Sequence, residues 1–133
     1  MSAGIVYLAA GGTGGHIFPA LAVAEAMNTK GYHTCLFTDK RGAALLADIE
    51  KLPTRLHVIS AASPFQPGIL RRIIALTKLG VGALSCLWHI GVRPPMVMIG
   101  FGGYQSFTPL LVARLFGVPI MVHEQNDVQL KAV

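Results

Sequence analysis

Short apolar runs alternate with longer helical patterns from one end of the chain to the other, and no other feature restricts the fold as much. Residues 5–10, IVYLAA, are almost wholly apolar and bounded by glycine, as a strand buried on both faces must be. Further strand-like runs occupy residues 33–38, 55–61, 96–99 and 119–123, with helical patterns at 15–29, 42–51, 69–90 and 106–116. Lys30 and Gly31 close the first helix as a basic last turn and a C-cap glycine. Such alternation predicts an α/β fold, a Rossmann-like doubly wound parallel sheet covered by helices on both faces. The 133 residues suffice for one domain and not two.

In a sheet of this kind ligands bind beyond the carboxyl ends of the strands, near the switch in strand order. Three of the strands run into unusual loops there. The first enters Gly11-Gly12-Thr13-Gly14-Gly15-His16, the fourth Gly100-Phe101-Gly102-Gly103-Tyr104, and the fifth His123-Glu124-Gln125-Asn126. Glycines let backbone approach a ligand closely and adopt positive φ angles, and a following helix offers N–H groups and partial positive charge. Together they predict phosphate binding at the first loop, repeated at the second. A Walker loop is excluded because the required lysine is missing, and the dinucleotide spacing fails at Ile17. Asp39 sits roughly where a ribose-binding acid would lie, but it is equally a helix cap. His16, in the first turn of its helix, is expected to favour the neutral imidazole that a general base needs. The polar quartet after the fifth strand suits sugar hydroxyls or an amide.

The helix over residues 69–90 carries one narrow polar stripe, Arg71, Ala75, Lys78, Gly82, Ser85 and His89, on an otherwise apolar surface. That apolar surface is wider than a sheet can bury, and cations flank it, which points to a membrane interface or a partner chain. Charge agrees. Between Glu50 and Glu124 there is no acidic residue, while Lys51, Arg55, Arg71, Arg72, Lys78, Arg93 and Arg114 fall in that interval. Such one-signed surface attracts anionic lipid or a diphosphate. No arginine-rich run or aromatic stripe suggests nucleic acid. The apolar runs are interrupted, so no segment offers the roughly 20 unbroken apolar residues of a spanning helix, and no secretory start is visible. Cys35 and Cys86 have neither CxxC nor metal-type spacing and read as two buried thiols.

GGTGGHIFPALAVAEAM, FTDKRG, IGFGGYQSFTPLLVA and VPIMVHEQN, in this order and spacing, resemble the amino-terminal domain of the MurG family of bacterial glycosyltransferases, and the match covers almost the whole chain. The resemblance implies the amino-terminal half of a two-domain GT-B fold. Residues 1–133 would then be the acceptor and membrane-side domain, incomplete at its carboxyl end, with the donor-binding domain absent and little turnover expected from this chain alone. The family moves GlcNAc from UDP-GlcNAc to the C4 hydroxyl of undecaprenyl-pyrophosphoryl-MurNAc-pentapeptide, with inversion, in peptidoglycan synthesis. It also implies peripheral attachment to an anionic phospholipid surface at the cytoplasmic face of the bacterial inner membrane, with no metal or other cofactor.

Carried over residue by residue, Thr13, Gly14 and Gly15 would lie by the donor's diphosphate or sugar, and Asn126 on the donor sugar. His16 would be the candidate base, with Glu124, on the acceptor side, the alternative. Gly102, Gly103 and Tyr104 would border the acceptor pyrophosphate. Ile73, Leu76, Leu79 and Trp88, with Arg71, Arg72 and Lys78, would form the membrane surface. After HEQN the family shows a glycine and then an asparagine, where this chain reads DVQLKAV. A non-catalytic membrane-docking subunit of a split glycosyltransferase is the competing expectation.

Overall fold

The computed structural model describes residues 4–59, 67–102 and 106–123. Within them five parallel strands, β1 (Ile5–Ala9), β2 (His33–Thr38), β3 (Arg55–Val58), β4 (Val97–Gly100) and β5 (Ile120–Val122), form one sheet in the order β3-β2-β1-β4-β5. Helices α1 (Gly14–Thr29), α2 (Lys40–Leu46), α3 (Ile69–Val92) and α4 (Phe107–Leu115) connect them. The chain winds outward from β1 to β3, then returns to place β4 on the other side of β1. The switch in strand order therefore falls between β1 and β4, and the doubly wound expectation holds.

Alternation along β1 divides the core in two. Val6, Leu8 and Ala10 join Ile17, Ala20 and Ala24 of α1 and Leu46 of α2 on one face. Tyr7 and Ala9 join Cys86 and Ile90 of α3 and Val112 and Ala113 of α4 on the other. Large side chains buried this fully stabilise by about 1.5–3 kcal/mol each. The end of α1 follows the sequence expectation closely. Gly31 has φ +93°, its N–H reaches the Asn28 carbonyl, and the N–H of Tyr32 reaches that of Met27, a Schellman ending.

The second helix starts earlier and stops earlier than its expected span of 42–51. Asp39 sets the start, accepting from the Gly42 N–H at 2.9 Å as N-cap. Gly42 is required by packing, since a Cβ there would fall 1.9 Å from Thr38 Oγ1. That hydroxyl is fully buried and, among the described residues, has no hydrogen-bond partner. Thr38→Val keeps the shape and removes the unsatisfied oxygen, so the substitution is expected to raise stability by about 1 kcal/mol. A rise in the urea midpoint at unchanged slope checks this.

α3 departs from expectation in two ways. At 24 residues it is long and apolar enough to cross a membrane by length and composition, contrary to the sequence reading that no segment is. Its packing shows another use: Cys86 and Ile90 are completely buried against the sheet. The second departure is its orientation. Ala75 and Gly82 of the polar stripe are buried and Ser85 and His89 half-buried, whereas Leu70, Ile73, Leu76, Leu84 and Trp88 are exposed. The physical reason lies beneath the helix, where the strands raise Tyr7, Phe37 and His57. Small residues let the helix sit close to these rings, and Ser85 Oγ meets His57 Nε2 at 2.7 Å.

His57 and His89 stack with ring centroids 3.6 Å apart. Burial, and then repulsion from His89, hold the His57 pKa below its ordinary 6.5. The unfolded chain therefore takes up a proton that the folded chain resists. This part of the stability is complete above about pH 6.5 and is lost as pH falls below it. A melting temperature that drops on acidification, and drops less in His57→Asn, is the expected result. Burial also pushes the Cys35 thiol up to about 11 and the Cys86 thiol up to about 12. Both cysteines are free, Cys86 buried and Cys35 half-buried.

Candidate functional site

The loops after β1 and β4 meet at the switch point and are fastened to each other. The Gly11 N–H donates to the Gly102 carbonyl at 3.1 Å, and the Phe101 N–H to the Ala9 carbonyl at 2.8 Å. The start of the third loop follows, with the His123 N–H on the Gly100 carbonyl at 2.7 Å. The expected gathering of loops at one edge is thus present as far as His123. Gly103, Tyr104, Glu124 and Asn126 lie outside the described residues.

His16 stands between the first two loops. Its Nδ1 lies 3.0 Å from Thr13 Oγ1, and its other side faces Gly102, where an added Cβ would come within 2.8 Å of Nε2. Thr13 is the N-cap of α1, yet its side chain makes no capping hydrogen bond and turns to the imidazole instead. This exchange has a chemical consequence. When Nδ1–H donates to the threonine hydroxyl, Nε2 keeps its lone pair and can accept a proton. The threonine holds the ring orientation, and its hydroxyl can pair with either tautomer.

The glycines of the first loop serve space rather than unusual backbone angles, contrary to the sequence argument from positive φ. None of Gly11, Gly12, Gly14 and Gly15 has positive φ. A Cβ on Gly12 would lie 2.7 Å from both Asp39 Oδ1 and Arg41 Cβ, and one on Gly14 3.1 Å from the Phe18 ring. Gly15 differs: the nearest atom to an added Cβ is Thr13 Oγ1, 3.9 Å away. Packing among the described residues does not require glycine at residue 15. In the second loop the backbone argument does apply, since Gly102 has φ +105°.

One feature of this edge escaped the sequence reading. Arg41 borders the first loop, with Nε 3.1 Å from the Cβ position of Gly12 and 3.8 Å from Asp39 Oδ2. Its place in FTDKRG, directly after β2, was the available signal. Asp39 itself caps α2, so the cap reading holds over the ribose-binding one. Of the expected membrane residues, Arg71, Arg72 and Lys78 are exposed with Ile73, Leu76 and Trp88, while Leu79 is half-buried.

Comparison with known proteins agrees with this arrangement. Residues 6–133 match the glycosyltransferase family 28 N-terminal domain. The UDP-N-acetylglucosamine–N-acetylmuramyl-(pentapeptide) pyrophosphoryl-undecaprenol N-acetylglucosamine transferase of Paramagnetospirillum magneticum is 43% identical over 124 residues, covering 93% of this chain and 33% of that protein. The enzyme of the same name from Agrobacterium fabrum is 39% identical over 133 residues, 99% of this chain and 34% of that protein. The crystal structure of Acinetobacter baumannii MurG superimposes with a TM-score of 0.76 at 31% identity, over 92% of this chain and 36% of that one. The chain thus spans about a third of the length of these relatives. Its sheet order, its paired glycine loops and its sequence place it together with them: the chain belongs to glycosyltransferase family 28, as an amino-terminal domain of that family.

Proposed function

We propose that this chain supplies the acceptor and membrane-side part of an enzyme that moves GlcNAc from UDP-GlcNAc to the MurNAc C4 hydroxyl of undecaprenyl-pyrophosphoryl-MurNAc-pentapeptide. The observation that carries the reading is the imidazole of His16 held between Thr13 and Gly102 at the switch point. In the proposed step, His16 Nε2 takes the proton of the C4 hydroxyl as its oxygen forms a bond to the anomeric carbon. The bond from that carbon to the UDP oxygen breaks on the opposite face, giving inversion and free UDP. The start of α1, with Arg41 beside the first loop, lowers the cost of the diphosphate charge. Acceptor pyrophosphate binding at the second loop's Gly102, Gly103 and Tyr104, donor binding at Thr13, Gly14, Gly15 and Asn126, and a competing base role for Glu124 on the acceptor side belong to the same proposal. So does peripheral attachment at the cytoplasmic face of the inner membrane through the outward side of α3.

The test is cosedimentation of the chain with anionic vesicles, with and without the lipid-linked acceptor, at low and high salt. Salt-sensitive binding that the acceptor strengthens is expected. A folded chain whose binding ignores the acceptor would sink the acceptor role. Gly15→Ala is expected to leave the melting temperature unchanged, because space surrounds the new methyl group. It should weaken UDP-GlcNAc binding to the chain, read by calorimetric titration, about tenfold, in line with blocked approach to the loop.

A further inference from the structure

At the opposite edge of the sheet, where the strands begin, a groove of about 840 Å³ opens between the starts of β1, β2 and β3 and the end of α3. Its lining includes Arg55, Arg93, His57, His89, Tyr7 and Tyr32, and among the described residues no aspartate or glutamate. Strand register assembles this cluster. Tyr7 is paired with Cys35 and Cys35 with Arg55, so the three form one row, and His57 lies two residues further along the same face. α3 ends above that row. The Tyr7 hydroxyl donates to the Arg93 carbonyl at 2.7 Å, and His89 Nδ1 donates to the Ser85 carbonyl at 2.9 Å.

We propose that this groove binds a phosphomonoester carried on an apolar or planar body, at a site separate from the switch-point loops and independent of the function proposed above. Two guanidinium groups offer paired donors for phosphate oxygens. Tyr32 and Leu52 give the body of the ligand an apolar wall. The volume is within the range of about 300–1,000 Å³ that takes such molecules. One effect opposes binding: α3 terminates here, and a helix C-terminus carries about half a negative charge. Two full guanidinium charges outweigh it, and two carbonyls at this end are already engaged, that of His89 by the Arg93 N–H and that of Arg93 by Tyr7.

The titratable and charged groups facing this space are Tyr7 from β1, His33 and Cys35 from β2, Arg55 and His57 from β3, and His89 and Arg93 from α3, with Tyr32 from the preceding loop. An anion lodged beside the tilted His57–His89 pair offsets the repulsion that His89 exerts on His57.

Calorimetric titration of the chain with phenyl phosphate, with phenol as control, tests the site, and dihexanoyl phosphatidic acid below its micellar concentration provides a lipid arm. Binding of phenyl phosphate but not of phenol is expected, weakening with added salt as an anion site requires. The doubly substituted chain, Arg55→Gln with Arg93→Gln, should bind at least about 10-fold more weakly. Both side chains are exposed, so its melting temperature should not move. Tighter binding of phenyl phosphate assigns a soluble ester, and tighter binding of the phosphatidic acid a lipid headgroup. Absence of binding by both ligands overturns the proposal. So does binding that survives the double substitution, or that disappears instead in Gly15→Ala.

Discussion

Replacing Leu76, Leu84 and Trp88 together by serine is expected to leave the chain folded at an unchanged or higher melting temperature and to reduce its partition onto anionic vesicles by about 100-fold or more. The three side chains are 59%, 67% and 70% exposed, so folding draws little from them. Inserted into a bilayer interface they would contribute about 3–6 kcal/mol together. Ile90→Ala gives the opposite pattern. That side chain is wholly buried, so its truncation should cost about 2–5 kcal/mol of stability while leaving the outward face intact. Thermal unfolding and vesicle cosedimentation of the same samples separate the two. Equal partition by the triple variant would remove the lipid reading of α3.

Gly102→Ala should lose about 2–3 kcal/mol, seen as a melting point lower by roughly 10 °C. Two penalties combine here: a φ of +105° and a methyl group 2.7 Å from the His16 ring. The second also displaces the imidazole, so the His16 ring resonances should move even in the fraction that stays folded. A variant with native stability and an unmoved His16 spectrum would show that the two loops are not coupled through this contact.

Much of the fold was legible because parallel strands buried on both faces read as short apolar runs, as β1 and β4 do in the described sheet. The glycine and histidine loops were legible for a related reason, since polar or glycine-rich residues directly after such runs are costly unless used. The orientation of α3 was not. Periodicity distinguishes a stripe from its surroundings without saying which side faces in, and the rings of Tyr7, Phe37 and His57 decided that from another part of the chain. The pairing of His57 with Ser85 and His89 was hidden for the same reason. A polar pair four residues apart on an apolar helix was the only local sign of it. Positive φ was assigned to the wrong loop, because GGTGG needs glycine for neighbours such as Asp39 and Arg41, which lie beyond β2.

The two hydrogen bonds that tie the switch-point loops to each other and to β1, from Gly11 to Gly102 and from Phe101 to Ala9, set how this edge fluctuates. Loops on a scaffold commonly open locally at little cost, and their amide protons exchange with solvent long before those of the core. Here the protecting carbonyls belong to the central strand and to the opposing loop, so neither loop can open without parting from β1. The Gly11 and Phe101 amide protons should exchange on the timescale of the whole sheet. A ligand arriving at His16 then meets a surface already ordered by folding, and little of its binding energy is spent on freezing the protein.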